Sequence, residues 1–209
     1  MKLSEPTRIC KICFKEYKAN SLRLILMKNN CICNSCYKKF IPKFINFKLD
    51  KIEGLALYEY DDNIRTLLYQ FKGCYDYELY EVFMKEYILY LKYRYLGYYI
   101  VPIPSSKKDD LIREFNHVEE IFKVLNLKMI KVLFKEGEYK QSDHKASERI
   151  NIVNHLKLSD MDLVKNKRVL LVDDVLTTGN TLKAAVSLLR NASVKKIKIL
   201  VMAKTKPIH

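Results

Sequence analysis

The stretch Arg168–Leu182, Arg-Val-Leu-Leu-Val-Asp-Asp-Val-Leu-Thr-Thr-Gly-Asn-Thr-Leu, constrains the fold of this chain more than any other. Val169, Leu170, Leu171 and Val172 form an aliphatic run without alternation, as a strand buried on both faces of a parallel sheet requires. Asp173 and Asp174 stop the run at the expected carboxyl end of that strand, where open α/β sheets hold their ligands. A turn of small and hydroxyl-bearing residues, Thr177 to Thr181, follows. Leu182, Ala185, Val186 and Leu189 then recur at i, i+3, i+4 and i+7, the stripe of an amphipathic helix.

Each part of this unit has a chemical use. Backbone N–H groups at a helix start are unpaired and sit at the positive end of the dipole, so they bind phosphate. Gly179 allows a turn that other residues resist, and Thr177, Thr178 and Thr181 add hydroxyl donors beside Asn180. The upstream carboxylates would repel a phosphate but suit the neutral hydroxyls of a sugar. Together the two halves match a ribose 5-phosphate. The glycine spacing fits neither a P-loop nor a dinucleotide-binding turn. A plain strand–turn–helix with a polar cap is the competing reading, and it leaves the acidic pair without a reason.

These residues closely resemble the signature of type I phosphoribosyltransferases. The resemblance implies an α/β fold with a mostly parallel sheet flanked by helices. It also implies that Asp173 and Asp174 hold the ribose hydroxyls of phosphoribosyl pyrophosphate, while Thr177, Thr178, Gly179, Asn180 and Thr181 hold its 5-phosphate.

Five of the six cysteines, Cys10, Cys13, Cys31, Cys33 and Cys36, lie in the first 36 residues. Cys10-x-x-Cys13 and Cys33-x-x-Cys36 make two knuckles about twenty residues apart, the pattern of a structural zinc site with four cysteine ligands. Leu22, Leu24 and Leu26 alternate between them, as in a hairpin. Cys31 is an alternative to Cys33, at a poorer spacing from Cys36. A redox CxxC would more often stand alone beside a βαβ unit. Cys74, far from the rest, reads as a buried small hydrophobe. Residues 1–50 are therefore expected to form a small zinc-binding module, held folded by its metal, and residues 51–209 a phosphoribosyltransferase-like domain.

Net charge is +14, and its placement is uneven. Residues 1–50 carry 11 Lys and Arg against 3 acids, residues 190–209 carry 6 against none, and the residues between are balanced at 21 each. Basic ends on a neutral middle suit a polyanion. Lys11, Lys15, Lys18, Lys38 and Lys39, interleaved with Phe14, Tyr17, Tyr37 and Phe40, are candidates for single-stranded nucleic acid, which offers phosphates and unstacked bases. A solvated basic surface around a structural metal explains the same residues. No apolar run is long enough to span a membrane and the start lacks a signal-peptide core, so a soluble, cytoplasmic protein is expected.

Between these landmarks, Ile41 to Lys51 reads as a joint and Leu55 to Tyr60 as a strand. Asp61 and Asp62 cap a helix carrying Ile64, Leu67, Leu68 and Phe71. A long helix is expected from Tyr77 to Leu96; its tyrosines at helical spacing read as core. Tyr99 to Pro104 forms a second buried strand, followed by Ser105, Ser106 and Lys107, a set suited to pyrophosphate. A helix with Val118, Ile121, Phe122 and Leu125 and a strand from Met129 to Phe134 come next. Lys135 to Glu148 is polar without an apolar face, as in a lid or connection.

With these segments placed, the whole chain resembles the ComF family of competence proteins, which join a four-cysteine zinc module to a phosphoribosyltransferase domain. The resemblance rests on Val101-Pro102-Ile103-Pro104 and on Arg113-Glu114-Phe115-Asn116-His117, where the family has Arg-Gly-Phe-Asn-Gln. It rests further on Gln141, Arg149 and Asn151, and on the acidic pair with its Thr-Gly-x-Thr turn. Phe71-Lys72-Gly73 stands at the family's Phe-Lys-Tyr. The resemblance implies a factor that binds phosphoribosyl pyrophosphate, through Gln141 and Arg149 as well, and that binds or processes single-stranded DNA in natural transformation. Its partners would be competence-machinery proteins such as a helicase or a recombination mediator. The alternative is an active transferase joining a nucleobase or amine to the ribose. There Mg2+ on the pyrophosphate and cations such as Lys107 and Lys135 ease its departure beside Asp173 and Asp174.

Overall fold

The computed structural model describes residues 7–18, 31–135 and 156–206. Its centre is a five-stranded sheet in the order β3-β4-β9-β8-β5, built from β3 (Ile45–Leu49), β4 (Ile52–Glu59), β5 (Tyr99–Pro102), β8 (Arg168–Leu176) and β9 (Lys196–Lys204). β4, β9, β8 and β5 run parallel, and β3 closes one edge as an antiparallel partner of β4. Val169 through Val172 are wholly buried, as their unbroken aliphatic run requires. Each such side chain contributes about 1.5–3 kcal/mol on burial.

Alternate residues of the strands feed two apolar layers. Leu55, Leu57, Leu170, Val172, Leu200 and Met202 face one layer. It is covered by α2 (Asp62–Gly73), α3 (Ile88–Arg94) and α5 (His117–Lys123). Asp61 caps α2 as expected, accepting the Ile64 N–H at 2.9 Å, and the helix buries Ile64, Leu67, Leu68 and Phe71. Ala56, Val169, Leu171, Ile199 and Val201 face the other layer, covered by α6 (Asn180–Asn191). A two-stranded ribbon, β6 (Leu133–Lys135) with β7 (Leu156–Leu158), flanks that layer.

The amino-terminal segment comprises β1 (Arg8–Ile9), β2 (Glu16–Tyr17) and α1 (Asn34–Lys39). It packs on the first layer, because Cys10, Ile32, Cys36 and Phe40 belong to the same buried cluster as Leu55 and Phe83.

Several local expectations need correction. Residues 41–51 are more than a joint, since β3 takes five of them into the main sheet. The long helix over 77–96 is broken into 3-10 segments at Tyr77–Glu81 and Lys85–Tyr87 and the short α3. Leu79, Val82, Phe83 and Met84 are all buried, and three adjacent residues cannot share one stripe of a regular helix. The strand expected over 129–134 is shorter: Met129 makes only a single bridge to Ile100, and β6 begins at Leu133. Cys74 is exposed, not buried, because α2 ends at Gly73 and the chain turns outward through Tyr75 at φ 60°. α4 (Lys107–Arg113) follows β5 through Ser106, whose hydroxyl accepts the Asp109 N–H at 3.4 Å.

Candidate functional site

Strand β8 delivers Asp173 and Asp174 to the carboxyl end of the sheet but does not stop there. Val175 and Leu176 still pair with Ala203 and Lys204 of β9, so the acidic pair sits within the strand. The turn then reaches Gly179 at φ 76°, where an added Cβ would lie 3.0 Å from Leu49 and 3.2 Å from Leu176. Both the backbone and the close approach require glycine. α6 starts at Asn180, two residues before the apolar stripe begins at Leu182, so its first N–H groups open toward the turn. Asp173, Thr177, Thr178, Gly179, Asn180 and Thr181 all line one small notch beside the strand end.

A larger cleft of about 540 Å3 adjoins the acidic pair, and Lys72, Ser105, Ser106, Lys135, Asp173 and Asp174 are among its walls. Inside it the two aspartates differ. Asp174 Oδ2 accepts from Lys72 Nζ at 2.6 Å and from His117 Nε2 at 3.2 Å, while its Oδ1 accepts the Val175 N–H at 2.6 Å. Burial alone would raise its pKa, but the His117 hydrogen bond and the Lys72 charge outweigh that and hold the carboxyl well below the usual range. Asp173 accepts only from the Asp174 N–H, at 2.9 Å, among the hydrogen bonds of the described residues. Burial, then the neighbouring Asp174 charge, pushes its carboxyl well above the usual range. The two carboxyls therefore differ: Asp174 is held by Lys72 and His117, and Asp173 is the less readily ionised of the two.

Behind Asp174 the network continues. His117 Nδ1 lies 3.0 Å from Arg113, which is itself buried and bonds Asp110 at 3.2 Å. Ser105 donates to Asp110 at 2.6 Å, and Asn116 Nδ2 donates to both Ser105 and Asp110. Ser105 is therefore already engaged, and Ser106 caps α4. Lys107, the first residue of α4, is exposed and is not among the cleft's lining residues. Gln141 and Arg149 lie outside the described residues, as does Asn151.

Sequence reasoning singled out neither Lys72 nor His117 as site residues. They come from the end of α2 and the start of α5, 102 and 57 positions from Asp174, and only the fold brings them to it. The one available signal was their place in the Phe-Lys-Gly and Arg-Glu-Phe-Asn-His segments.

The second constellation is the thiol cluster. Cys10, Cys13, Cys33 and Cys36 bring their sulfurs within 4.8 Å of one another, and Cys13 and Cys33 are 3.9 Å apart. Tetrahedral thiolate sites with bonds near 2.3 Å place sulfurs roughly 3.8 Å apart, so the set is compatible with a structural metal ion. Burial tends to raise the Cys10 thiol, but backbone N–H groups, that of Cys33 first, reverse this and bring it to about 7. Burial and the neighbouring sulfurs push Cys36 the other way, and a bound cation would favour its thiolate. Cys31 is buried outside the cluster, which resolves the alternative in favour of Cys33.

Comparison with known proteins covers the domain that holds the acidic pair. Residues 110–207 match the phosphoribosyl transferase domain family. Competence protein ComFC of Streptococcus pneumoniae is 25% identical over 90% of this chain and 96% of its own. The chain thus resembles ComFC over nearly all of its length. Among solved structures, a hypoxanthine phosphoribosyltransferase from Staphylococcus aureus matches at 20% identity and a TM-score of 0.38, covering 61% of this chain and 64% of that one. An allosteric regulatory enzyme of purine biosynthesis matches at 18% identity and a TM-score of 0.36 over 55% of this chain, which spans only 23% of that protein.

The five candidate lysines of the amino-terminal module differ in their surroundings. Lys11 is tied to Glu78 at 2.6 Å and Glu81 at 3.2 Å, fastening the module to the domain. Lys15, Lys18, Lys38 and Lys39 are exposed, the last two in the final turn of α1. No helix among the described residues is long and apolar enough to cross a membrane.

Proposed function

We propose that this chain is a ComF-type competence protein that binds phosphoribosyl pyrophosphate beside Asp173 and Asp174 and handles single-stranded DNA during natural transformation. The observation that carries the ligand reading is the union, on one strand–turn–helix unit, of the acidic pair with a glycine-dependent turn opening into a helix start. Asp173 and Asp174 take the ribose hydroxyls, and Thr177 to Thr181 take the 5-phosphate with the first N–H groups of α6. Lys72, 38% exposed on Asp174, is the cation best placed to meet the negative charge of the diphosphate. Ser105, Ser106, Lys107, Gln141 and Arg149 are proposed to complete the phosphate contacts. Mg2+ bound to the diphosphate would neutralise part of its charge. The thiol cluster holds Zn2+ in a structural role. The resemblance to ComFC supports the DNA reading, together with the excess of Lys and Arg at both ends of the chain.

Calorimetric titration with phosphoribosyl pyrophosphate and Mg2+ tests the ligand. Binding is expected to exceed that of ATP, and to be lost when Asp173→Asn and Asp174→Asn are combined. Equal affinity in the double variant would place the ligand elsewhere.

One feature favours a second reading, an active phosphoribosyltransferase. Tyr69, Tyr75 and Ile112 line the same cleft while staying 64%, 49% and 56% exposed. Such apolar faces at the rim suit a flat acceptor base, and turnover of phosphoribosyl pyrophosphate with a nucleobase would favour it.

A further inference from the structure

The opposite end of the sheet holds a second cleft. β9 opens on Lys196 and Lys198, which flank the buried Ile197 and so share one side of the strand. Lys198 lies 3.2 Å from Glu53 of β4, and Glu53 stands opposite Lys48 of β3 in the antiparallel register. Lys48, Glu53, Arg94, Tyr95 and Lys198 line a space of about 510 Å3. Three cations and one carboxylate line it. Lys198, and more weakly Lys196 and Lys48, hold the Glu53 carboxyl below its usual range, so the carboxylate is shared among them.

Beside this cleft, α3 turns apolar and aromatic groups outward. Leu89 and Tyr93 are 82% and 85% exposed and share one face at i, i+4, and Leu96, just past the helix end, is 69% exposed. Tyr90 adjoins that face and links it to the cleft. Its hydroxyl accepts from Arg94 at 2.8 Å, its ring packs edge-on against Phe44 at 5.4 Å, and Arg94 reaches Asn46 of β3.

We propose that this end of the sheet binds single-stranded nucleic acid, with Lys48, Arg94, Lys196 and Lys198 taking successive phosphates and Tyr93 and Tyr90 offering faces to the bases. The inference deepens the DNA-handling function and rests on that reading. It moves the main contact surface from the zinc module, where Lys11 is spent on the domain, to the amino ends of β9 and β4. Cations alone would suit any polyanion. The exposed tyrosines select a strand with unstacked bases, since a duplex hides its base faces. A membrane fits less well, because α3 offers only about 10 Å of helix to lie in an interface.

The full chain contains no tryptophan, so Tyr93→Trp places a single reporter on the ridge. Titration of this variant with an oligothymidine at low salt is expected to quench the tryptophan. Affinity should fall with salt at a log–log slope of about −0.7 per contacted phosphate. Adding Lys48→Ala, Lys196→Ala and Lys198→Ala should cost about tenfold in affinity and flatten the slope by roughly 2. Changing Lys15, Lys18, Lys38 and Lys39 to alanine should do less. Oligonucleotide binding seen by anisotropy of a labelled strand, yet without quenching and unchanged in the triple variant, overturns this surface and leaves DNA handling intact. No binding by the wild-type chain at low salt overturns both. Quenching by phosphatidylglycerol vesicles or by duplex alone also refutes the proposal.

Discussion

At the carboxyl end of β8, Asp174 is met by Lys72 and His117, and Asp110 by Arg113, Ser105 and Asn116. At the amino end of β9, Lys48, Arg94 and Lys198 line a cleft with the carboxylate of Glu53, which Lys198 meets at 3.2 Å. The first is a closed network whose charges are matched within the protein, which fixes side chains for a small ligand of defined shape. The second is an open surplus of cations on exposed side chains, which suits a polymer whose charges repeat. One sheet therefore presents two electrostatic environments, kept apart by the length of its parallel strands.

Metal removal should separate the two ends most strongly. The amino-terminal module packs on the layer that holds Phe71 and reaches the domain through Lys11, Glu78 and Glu81. Tyr77 meets Phe115 edge-on, and Phe115 packs at a tilt on Phe71, the neighbour of Lys72. Structural zinc contributes on the order of 10 kcal/mol to such modules. Chelation, or Cys33→Ser with Cys36→Ser, is expected to unfold the module and weaken phosphoribosyl pyrophosphate binding. Quenching at Tyr93→Trp by oligonucleotide should persist. Metal analysis should find one zinc per wild-type chain; full zinc in the double variant would refute the ligand assignment.

The two acids offer the next contrast. Asp174→Asn leaves Lys72 and His117 facing a neutral amide, and removing one partner of a buried ion pair costs about 3–5 kcal/mol. Lys72 is partly solvated, so the lower end of that range is expected. Asp173→Asn should do the reverse and stabilise the fold by about 1 kcal/mol while still abolishing ligand binding. The sign follows from linkage. The Asp173 carboxyl is raised above its ordinary value near 3.8, so its cost is absent in acid and grows as pH rises from about 4 toward the folded value. The Asp174 contribution has the opposite course, being present above about pH 4 and lost as pH falls toward its depressed folded value. Thermal melts across pH should therefore show the two variants diverging above pH 4 and converging below it. Parallel curves would mean that the acids do not differ as described.

What the sequence made legible divides along the same line. The unbroken run Val169–Val172, the acidic pair, the glycine turn and the cysteine knuckles are local patterns: the run is buried and the four sulfurs converge, while the acidic pair lies within β8 rather than ending it. Lys72 and His117 were hidden because their role depends on α2 and α5 meeting over β8, a contact that no local period encodes. The tyrosine-rich 77–96 stretch misled for a different reason. Helical spacing in Tyr80, Phe83, Tyr87, Tyr90 and Leu91 suggested one buried stripe, but Tyr90 is exposed and Val82, Phe83 and Met84 are buried consecutively, which no single helical stripe allows. The break leaves α3 short, and Tyr90 and Tyr93, expected as core, are exposed. Lys195, Lys196 and Lys198 were visible as a charge cluster, yet only the β3–β4–β9 register sets Lys198 beside Glu53 and Lys48.

The smallest effect should come from Gly54→Ala, which tests whether the basic end can be altered alone. Gly54 lies opposite Phe47 in the β3–β4 register, and the ring covers it so closely that an added Cβ would sit 2.3 Å from two ring carbons. A contact that short cannot persist, and the backbone of Gly54, paired with Ile199 of β9, is held more firmly than a ring on an edge strand. The ring must therefore swing away, at a cost of about 1–3 kcal/mol for overpacking. Phe47 and Gly54 both line the cationic cleft, so the movement reshapes that space without removing any of its charges. Oligonucleotide affinity is expected to change by a few-fold at most with the salt slope preserved, because the number of phosphate contacts stays the same. Phosphoribosyl pyrophosphate binding should be untouched, since neither residue lines the cleft at Asp173 and Asp174. An equal loss at both ends in Gly54→Ala would mean that the sheet transmits the disturbance and that the two clefts are not independent.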